Sequence, residues 1–197
     1  MKFRMKKLAA LLFLSAALTL SAACGKADDQ LKNDGEAGSQ ETQETAANGL
    51  FTKMEAVDLE GNALDSSIFE ENKLTLVNVW NVGCTPCIRE IPVLDKLNRE
   101  YEGKGIAIKG LYYNFESDIS DDVMADINEI LTAAGAEYTH IVPSKAMYET
   151  EEMKNIFAFP TTYFVDSKGN IVDKIEGATD YEGWKERIET VLEKVEA

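Results

Sequence analysis

The hydrophobic pattern of the chain centres on an apolar run that ends near a glycine and is followed by a helical repeat. Leu74–Trp80 is apolar and β-branched around a single asparagine, Asn78, which is typical of a strand buried on both faces of a sheet. Beyond Gly83, apolar residues recur at helical spacing and predict a helix from about Thr85 to Tyr101. The junction between this strand and this helix contains two cysteines, Cys84 and Cys87.

Downstream, the pattern alternates strands with helices. The predicted strands are 57–59, 63–64, Ile106–Tyr112, 138–142, 161–165 and 170–176, and the predicted helices are 118–134, 145–157 and 182–195. Turn residues at 60–62 and 167–169 predict a hairpin at each end of the domain. This order indicates the α/β class, with a mixed sheet and helices on both faces.

The N-terminal residues 1–23 have the pattern of a secretory signal, with Lys2, Arg4, Lys6 and Lys7 before an apolar run too short to span a bilayer. The small residues before Cys24 resemble a bacterial lipoprotein signal, which implies cleavage there and lipid on Cys24. An ordinary signal peptide and an uncleaved anchor are the alternatives. Residues 24–49 are polar and small, so we predict a disordered tether before a domain at 50–197.

Charge narrows the range of partners. The signal carries four of the 20 basic residues and no acidic one, so the remaining chain has 16 basic and 35 acidic residues, a formal charge of −19. A surface this acidic argues against nucleic acid or anionic lipid as a partner, and weakly favours basic proteins. A well-solvated acidic surface is the simpler interpretation.

The cysteine count narrows the chemistry. Of three cysteines, Cys24 belongs to the signal, so Cys84 and Cys87 form a disulfide together or stay free. Zinc would need four ligands, and His140 is the only histidine; covalent haem is excluded because Ile88 follows Cys87. Copper(I) on two thiolates stays open as a weaker alternative. The Pro-x-x-x-Thr-x-x-Cys pattern of peroxiredoxins is missing, which argues against a peroxidase.

The position of the two thiols predicts unequal roles for them. Cys84 lies where the helix begins, and the unpaired N–H groups and dipole of a helix N-terminus favour a thiolate there. The dipole alone would lower the thiol pKa by roughly one unit from about 8.5. Cys87, one turn inside the helix, would keep its proton longer. We therefore expect Cys84 to attack a partner's disulfide and Cys87 to resolve the mixed disulfide.

A proline at the start of a predicted strand is the second unusual feature. Pro160 cannot donate to the ladder of a sheet, so Phe159-Pro160 is either a cis bond or a trans proline at the strand start. The sequence leaves both open.

Taken together, these motifs resemble the TlpA/ResA family of thioredoxin-like proteins over about residues 50–195. The resemblance rests on the apolar strand before Cys-Thr-Pro-Cys, on Glu90-x-Pro92 and on Phe159-Pro160-Thr161-Thr162. It implies a thioredoxin-like three-layer α/β/α fold with an N-terminal hairpin and an inserted helix at 118–134. One departure is Gly83, which stands where these proteins often carry a bulky residue.

The resemblance also implies roles for individual residues. Cys84 would be the attacking thiol and Cys87 the resolving thiol; Pro160 would be cis and packed beside the disulfide, with the Phe159 backbone available to a substrate strand. Glu90 matches an acidic residue that tunes the site. Asn78 takes the place of a buried acid of cytoplasmic thioredoxins, so proton transfer would fall to Glu90 or water. Trp80 and Pro86 would support the site.

Several residues also have simpler interpretations. Without the resemblance, Glu90 is a surface acid of the helix, and Trp80 is core packing beneath the site. Pro92 is expected to kink the helix, and His140 to be a strand residue with its hydrogen bonds satisfied. A further set could line a substrate surface, although core or loop packing is the safer interpretation: Tyr112, Tyr113 and Phe115.

The expected function is that of a monomeric disulfide reductase, lipid-anchored on the outer face of a bacterial membrane, with no metal or organic cofactor. Electrons would come from a membrane dithiol carrier and pass to extracytoplasmic disulfide-containing proteins, such as apocytochrome c during its biogenesis or a methionine sulfoxide reductase. The alternatives are a disulfide-forming oxidant with the same site and a non-catalytic lipoprotein that binds copper(I).

Overall fold

The computed structural model describes residues 49–116 and 118–196. The predicted signal, Cys24 and residues 24–48 of the predicted tether lie outside these residues. Within the described ranges, no helix combines the length and the apolar character needed to cross a membrane.

Seven strands form one mixed sheet, as the sequence pattern predicts. They are β1 Glu55–Asp58, β2 Ala63–Asp65, β3 Leu74–Trp80, β4 Ile106–Tyr112, β5 His140–Pro143, β6 Thr161–Asp166 and β7 Ile171–Glu176. Their spatial order is β2-β1-β5-β4-β3-β6-β7. The three central strands β3, β4 and β5 run parallel, and both outer pairs are antiparallel. Both predicted hairpins, β1–β2 and β6–β7, are confirmed.

Strand β3 is buried along its whole length because helices cover both faces of the sheet. Leu74, Leu76 and Trp80 belong to a core with helices α2 Thr85–Tyr101, α3 Asp121–Ala134 and α6 Tyr181–Glu196. Val77 and Val79 point to the opposite core, which also contains side chains from three four-residue helices: α1 Gly49–Thr52, α4 Lys145–Tyr148 and α5 Glu151–Lys154. This is the three-layer α/β/α architecture expected from the sequence.

Helix α2 has the bounds predicted for it. Cys84 is its N-cap, with extended backbone angles, and Pro86 occupies the first turn, where its missing N–H leaves no bond unmade. Pro92 lies inside the helix, which continues through it to Tyr101. The kink expected at Pro92 remains a prediction.

The inserted helix α3 begins at Asp121, three residues later than predicted. The reason is the Ser120 side chain, which accepts a hydrogen bond from the Val123 N–H and thereby caps the helix. Its end is as predicted, because Gly135 takes the left-handed conformation with φ of +63°.

The single helix predicted at 145–157 is wrong. The segment forms α4 and α5, because Thr150 between them has extended backbone angles and caps α5 by accepting from the Met153 N–H. The strand predicted at 138–142 is shifted as well, since β5 starts at His140 and extends to Pro143.

Two short elements have no counterpart in the prediction. Gly49, assigned to the tether, begins α1, and a 3₁₀ helix spans Ser66–Phe69. Phe51 of α1 packs edge-to-face against Phe69 and Tyr163, so both elements seal the second core. Gly169 permits this, because a Cβ there would lie 2.8 Å from the Phe51 carbonyl oxygen.

Candidate active site

Cys84 and Cys87 form a disulfide at the N-terminus of α2, with their Cα atoms 5.3 Å apart. Cys84 retains 8 % of its exposure, whereas Cys87 is fully buried. The sulfur of Cys84 also accepts a hydrogen bond of 3.2 Å from the Cys87 N–H. An N–H directed at this sulfur stabilises a negative charge there, so the structure favours Cys84 as the thiolate.

The loop before the disulfide is held by a residue that the sequence analysis missed. Asn81 is buried; its side-chain oxygen accepts from the Gly83 N–H at 2.9 Å and its carbonyl from the Cys84 N–H at 3.1 Å. Asparagine after a strand is a common turn signal, so a local hint was present in the sequence. Asn81 fixes the approach of the chain to Cys84.

Glu90 is buried, so the interpretation of a surface acid is wrong. Only 3 % of the residue is exposed. One carboxylate oxygen accepts from the Thr179 N–H and from the Trp184 indole N–H, both at 2.9 Å. The other oxygen accepts from the Asn78 side-chain amide at 3.2 Å. No local signal predicts this environment, because Trp184 is 94 positions away and Thr179 contributes only its backbone.

Burial raises the pKa of Glu90, even though all three donors favour the ionised form and pull it back down. Glu90 follows Cys87 by three positions, so both residues lie on one face of α2. A carboxyl group with a raised pKa on this face can hold or release a proton near the buried thiol. Asn78 links this group to the sheet, because its amide also donates to the Thr162 hydroxyl at 2.9 Å.

The peptide bond between Phe159 and Pro160 is cis, whereas the sequence had left both cis and trans open. Pro160 is buried immediately before β6, and Thr161 pairs with Val79 near the end of β3. The disulfide follows the same end of β3, so Pro160 and Cys84 share one edge of the sheet. Within the described residues, the backbone N–H and C=O of Phe159 have no hydrogen-bond partner. The packing of Pro160 on the disulfide and the binding of a substrate strand remain predictions.

Aromatic side chains extend outward from Phe159. Tyr113 packs edge-to-face against Phe159, Phe115 and Tyr148, and Phe115 also contacts Phe159. Phe115 is 73 % exposed, so it differs from Tyr112, which is buried in the core. Tyr148 was not predicted for this surface; its hydroxyl accepts from the Asn114 N–H and orders the loop after β4.

Trp80 is fully buried and packs edge-to-face on Tyr112 and His140, which confirms its interpretation as core packing. Its indole N–H donates to Nδ1 of His140 at 3.1 Å. The other ring nitrogen of His140 is buried with no partner in the described residues, so the histidine is only half satisfied, contrary to expectation. Burial lowers its pKa to about 4.

Residues 49–116 and 118–196 contain no group of three or more histidine, cysteine or acidic side chains placed to hold a metal ion. Both sulfurs are bonded to each other. This arrangement can exchange its disulfide for another, with Cys84 as the more exposed sulfur, Cys87 as the fully buried one and a proton site at Glu90.

A mixed sheet that places a disulfide at a helix N-terminus, on the same edge as a cis-proline, defines the class: a thioredoxin-fold enzyme that exchanges thiols and disulfides. Comparison with known families supports this class. A family model described as a thioredoxin-like domain matches residues 63–195, and the chain belongs to this family.

Relatives of the chain carry matching names. The chain is 25 % identical over 163 residues to thiol-disulfide oxidoreductase ResA of Bacillus thuringiensis subsp. konkukian, covering 77 % of this chain and 86 % of the relative. It is 31 % identical over 119 residues to thiol:disulfide interchange protein DsbE of Pseudomonas fluorescens, covering 59 % of this chain and 58 % of the relative. A solution structure of a thiol:disulfide interchange protein from Bacteroides sp. superposes with a TM-score of 0.57 at 23 % identity, over 74 % of this chain and 90 % of the other. This last similarity establishes the fold.

Proposed function

We propose that this thiol-disulfide oxidoreductase works outside the cytoplasm as a reductant of disulfides in other proteins. The observation that carries the proposal is the asymmetric disulfide, in which Cys84 keeps 8 % of its exposure and Cys87 is fully buried. In the reduced protein, the Cys84 thiolate attacks a substrate disulfide, forms a mixed disulfide and releases one substrate thiolate. Cys87 then attacks Cys84, closes the internal disulfide and releases the second thiolate. Two electrons pass to the substrate.

The reducing direction is supported by the charge around the buried thiol. Strongly oxidising members of this chemistry stabilise the reduced form through a low-pKa thiolate. Here the buried carboxyl group of Glu90 lies on the same helix face as Cys87. A negative charge at Glu90 opposes a negative charge on Cys87, so it disfavours the Cys87 thiolate and makes the dithiol a better reductant.

The location is supported by the sequence before the domain. The pattern of residues 1–23 and Cys24 favours export and a lipid anchor on the outer face of a bacterial membrane. A tether of about 25 residues would reach ~25–30 Å from that surface. A membrane dithiol carrier would then supply electrons to a monomeric domain, and secreted or membrane-bound proteins would receive them, apocytochrome c or a methionine sulfoxide reductase among them.

Trapping of mixed disulfides tests this proposal. The Cys87→Ser variant should accumulate mixed disulfides through Cys84, because the resolving thiol is missing, and these should disappear on reduction. The Cys84→Ser variant is the control, since the remaining thiol of the pair, Cys87, is buried. Equal trapping by both variants would contradict the assigned roles.

An insulin-reduction assay beside a copper(I) titration tests the class of activity. We expect turnover of insulin and no tight copper. Stoichiometric tight copper without turnover would favour the binding lipoprotein instead.

A further inference from the structure

A cleft of about 440 Å³ lies beside Cys84, between the first turns of α2 and the inserted helix α3. Its near wall is the loop residues Val82 and Gly83, which directly precede Cys84, with Ile88 from α2. The far wall comes from the second half of α3. Pockets of about 300–1,000 Å³ are large enough to bind a small ligand or a large side chain.

The cleft is open because its walls carry small residues. A Cβ on Gly83 would meet only the Asn81 side-chain oxygen, at 3.2 Å, so nothing else fills the space there. On the far wall, Ala133 and Ala134 reach only a short way from α3, and Ile130 of the same helix adds an apolar side chain to the lining. The lining next to the loop that precedes Cys84 is therefore apolar.

The rim of the cleft is acidic. Asp126 and Glu129 lie three positions apart on α3, and both are exposed residues that line the cleft. In the described part of the chain, neither carboxylate has an ion-pair or hydrogen-bond partner. The residues that line the cleft include no lysine, arginine or histidine. A cationic side chain entering the cleft would therefore meet two carboxylates that no basic residue of the lining neutralises.

We propose that this cleft is a specificity site, which holds an apolar side chain close to the reacting cysteine of the substrate protein, with a neighbouring lysine or arginine bound by Asp126 and Glu129. This proposal rests on the proposed function, because it concerns which substrate disulfides Cys84 attacks. It uses the face of α2 that carries Ile88, not the face that carries Glu90.

Charge favours another protein over two other possible occupants of the cleft, which are residues 25–49 of this chain and a second copy of it. Residues 25–49 contain six acidic and two basic residues, and the chain after the signal carries a formal charge of −19. The preceding segment and a second copy would therefore both bring more negative charge to an acidic rim. A basic, apolar segment of another protein is the complementary partner.

The chemical step that the cleft would favour is the first exchange. The Cys84 thiolate forms a bond to the substrate sulfur, the substrate disulfide breaks, and the other sulfur leaves as a thiolate. The cleft lowers the cost of orienting the substrate cysteine for this attack. It should therefore change the rate constant of mixed-disulfide formation and leave the resolving step to Cys87.

The test measures that rate constant in the full chain carrying Cys24→Ser and Cys87→Ser, so that only the first attack, by Cys84, occurs. The probes are short peptides with one cysteine disulfide-bonded to 2-mercaptoethanol. The first peptide has a leucine and then a lysine on each side of the cysteine; the second replaces both leucines with serine, and the third replaces both lysines with glutamate. The preference for leucine is the rate constant of the first peptide divided by that of the second, and the preference for lysine is the rate constant of the first divided by that of the third. Both ratios are measured within one protein.

Two variants of the cleft should lower these ratios separately. Ala133→Trp fills the far wall and should reduce the preference for leucine by about tenfold, the discrimination that an apolar pocket typically achieves. Asp126→Asn with Glu129→Gln should reduce the preference for lysine by about threefold, and added salt should reduce it in the unsubstituted cleft. The matched control is Glu186→Gln with Glu189→Gln, two exposed carboxylates of α6, which should keep both ratios.

The outcomes separate the two proposals. If every peptide reacts at the same rate, or if the ratios survive both cleft variants, the cleft is not a specificity site, although the protein still exchanges disulfides. If neither the peptides nor hydroxyethyl disulfide react at all, the proposed function fails and this inference fails with it.

Discussion

At the scale of single residues, burial shifts the pKa values of two ionisable groups, Glu90 and His140, in opposite directions. Glu90 has a raised pKa because burial disfavours its charge. His140, beneath Trp80, has a lowered pKa for the same reason. Burial therefore disfavours the charged form of each group, and each should leave a measurable pH dependence.

Glu90→Gln should flatten the pH dependence of stability. A pKa above the ordinary 4.5 means that the folded protein holds this proton more tightly than the unfolded chain does. The stability from the neutral carboxyl group is complete below about pH 4.5 and is lost as the pH rises through the raised pKa. Urea unfolding of the oxidised protein at pH 4.5 and pH 7 measures this loss. The variant should lose less stability than the unsubstituted protein, and Glu186→Gln should behave like the latter.

His140 should stay neutral far below its ordinary pKa of 6.5. Because its folded pKa is about 4, the stability it contributes is complete above pH 6.5 and is lost as the pH falls through 4. The loss amounts to roughly 3 kcal/mol, since a difference of one in pKa corresponds to about 1.4 kcal/mol. His140 is the only histidine in the chain, so its ring protons can be followed directly by NMR. Titration near pH 6.5 in the folded protein would contradict the buried placement; the urea-unfolded protein supplies the reference.

At the scale of elements, the structure depends on how closely β4 approaches the segment that enters β5. Gly110 of β4 pairs with His140, and its N–H donates to the Thr139 carbonyl at 2.9 Å. A Cβ on Gly110 would lie 2.0 Å from Nδ1 of His140. The glycine therefore makes room for the ring that accepts the Trp80 hydrogen bond below the site.

Gly110→Ala should destabilise the domain by about 1–3 kcal/mol or more, because the imidazole is enclosed by Trp80 and Tyr138 and cannot move away. Denaturant unfolding measures the loss. Gly49→Ala is the matched control, since a Cβ there meets nothing within 4 Å and alanine suits a helix. A Gly110→Ala protein as stable as the control would mean that the two strands are less close than described.

At the scale of the whole molecule, the disulfide couples redox state to folding. Folding and oxidation form one thermodynamic cycle. If the oxidised form has the larger free energy of unfolding, folding favours the disulfide, and if the reduced form has it, folding favours the dithiol. A protein that reduces others must therefore be more stable when oxidised, and a strong oxidant more stable when reduced.

The proposed reductant should unfold at a higher urea concentration when oxidised than when reduced. Closing the loop between two cysteines three positions apart corresponds to about 2 kcal/mol in the chain-entropy account. Unfolding curves of both forms at pH 7 give the difference. A reduced form that is clearly the more stable one would contradict the reducing direction and favour the oxidant.

Local pattern was enough to predict most elements. Strands β3 and β4 and helix α2 have the predicted bounds, because unbroken apolar runs and a long helical repeat are strong local signals. The segment 145–157 was mispredicted because Thr150 competes locally with the helix through its side chain, which donates to the Met147 carbonyl. The elements α1 and Ser66–Phe69 are short, and tertiary packing against the second core stabilises them.

By itself, the sequence determined the fold class and the reactive pair, since the strand, the helix and Cys84-x-x-Cys87 are contiguous in the chain. Only the tertiary structure decided the environment of that pair. Glu90 is buried because Asn78, Thr179 and Trp184 come from distant elements, and the cis bond at Pro160 and the cleft between α2 and α3 also depend on neighbours far away in sequence. Burial and electrostatics are properties of three-dimensional neighbours, which a one-dimensional pattern does not record.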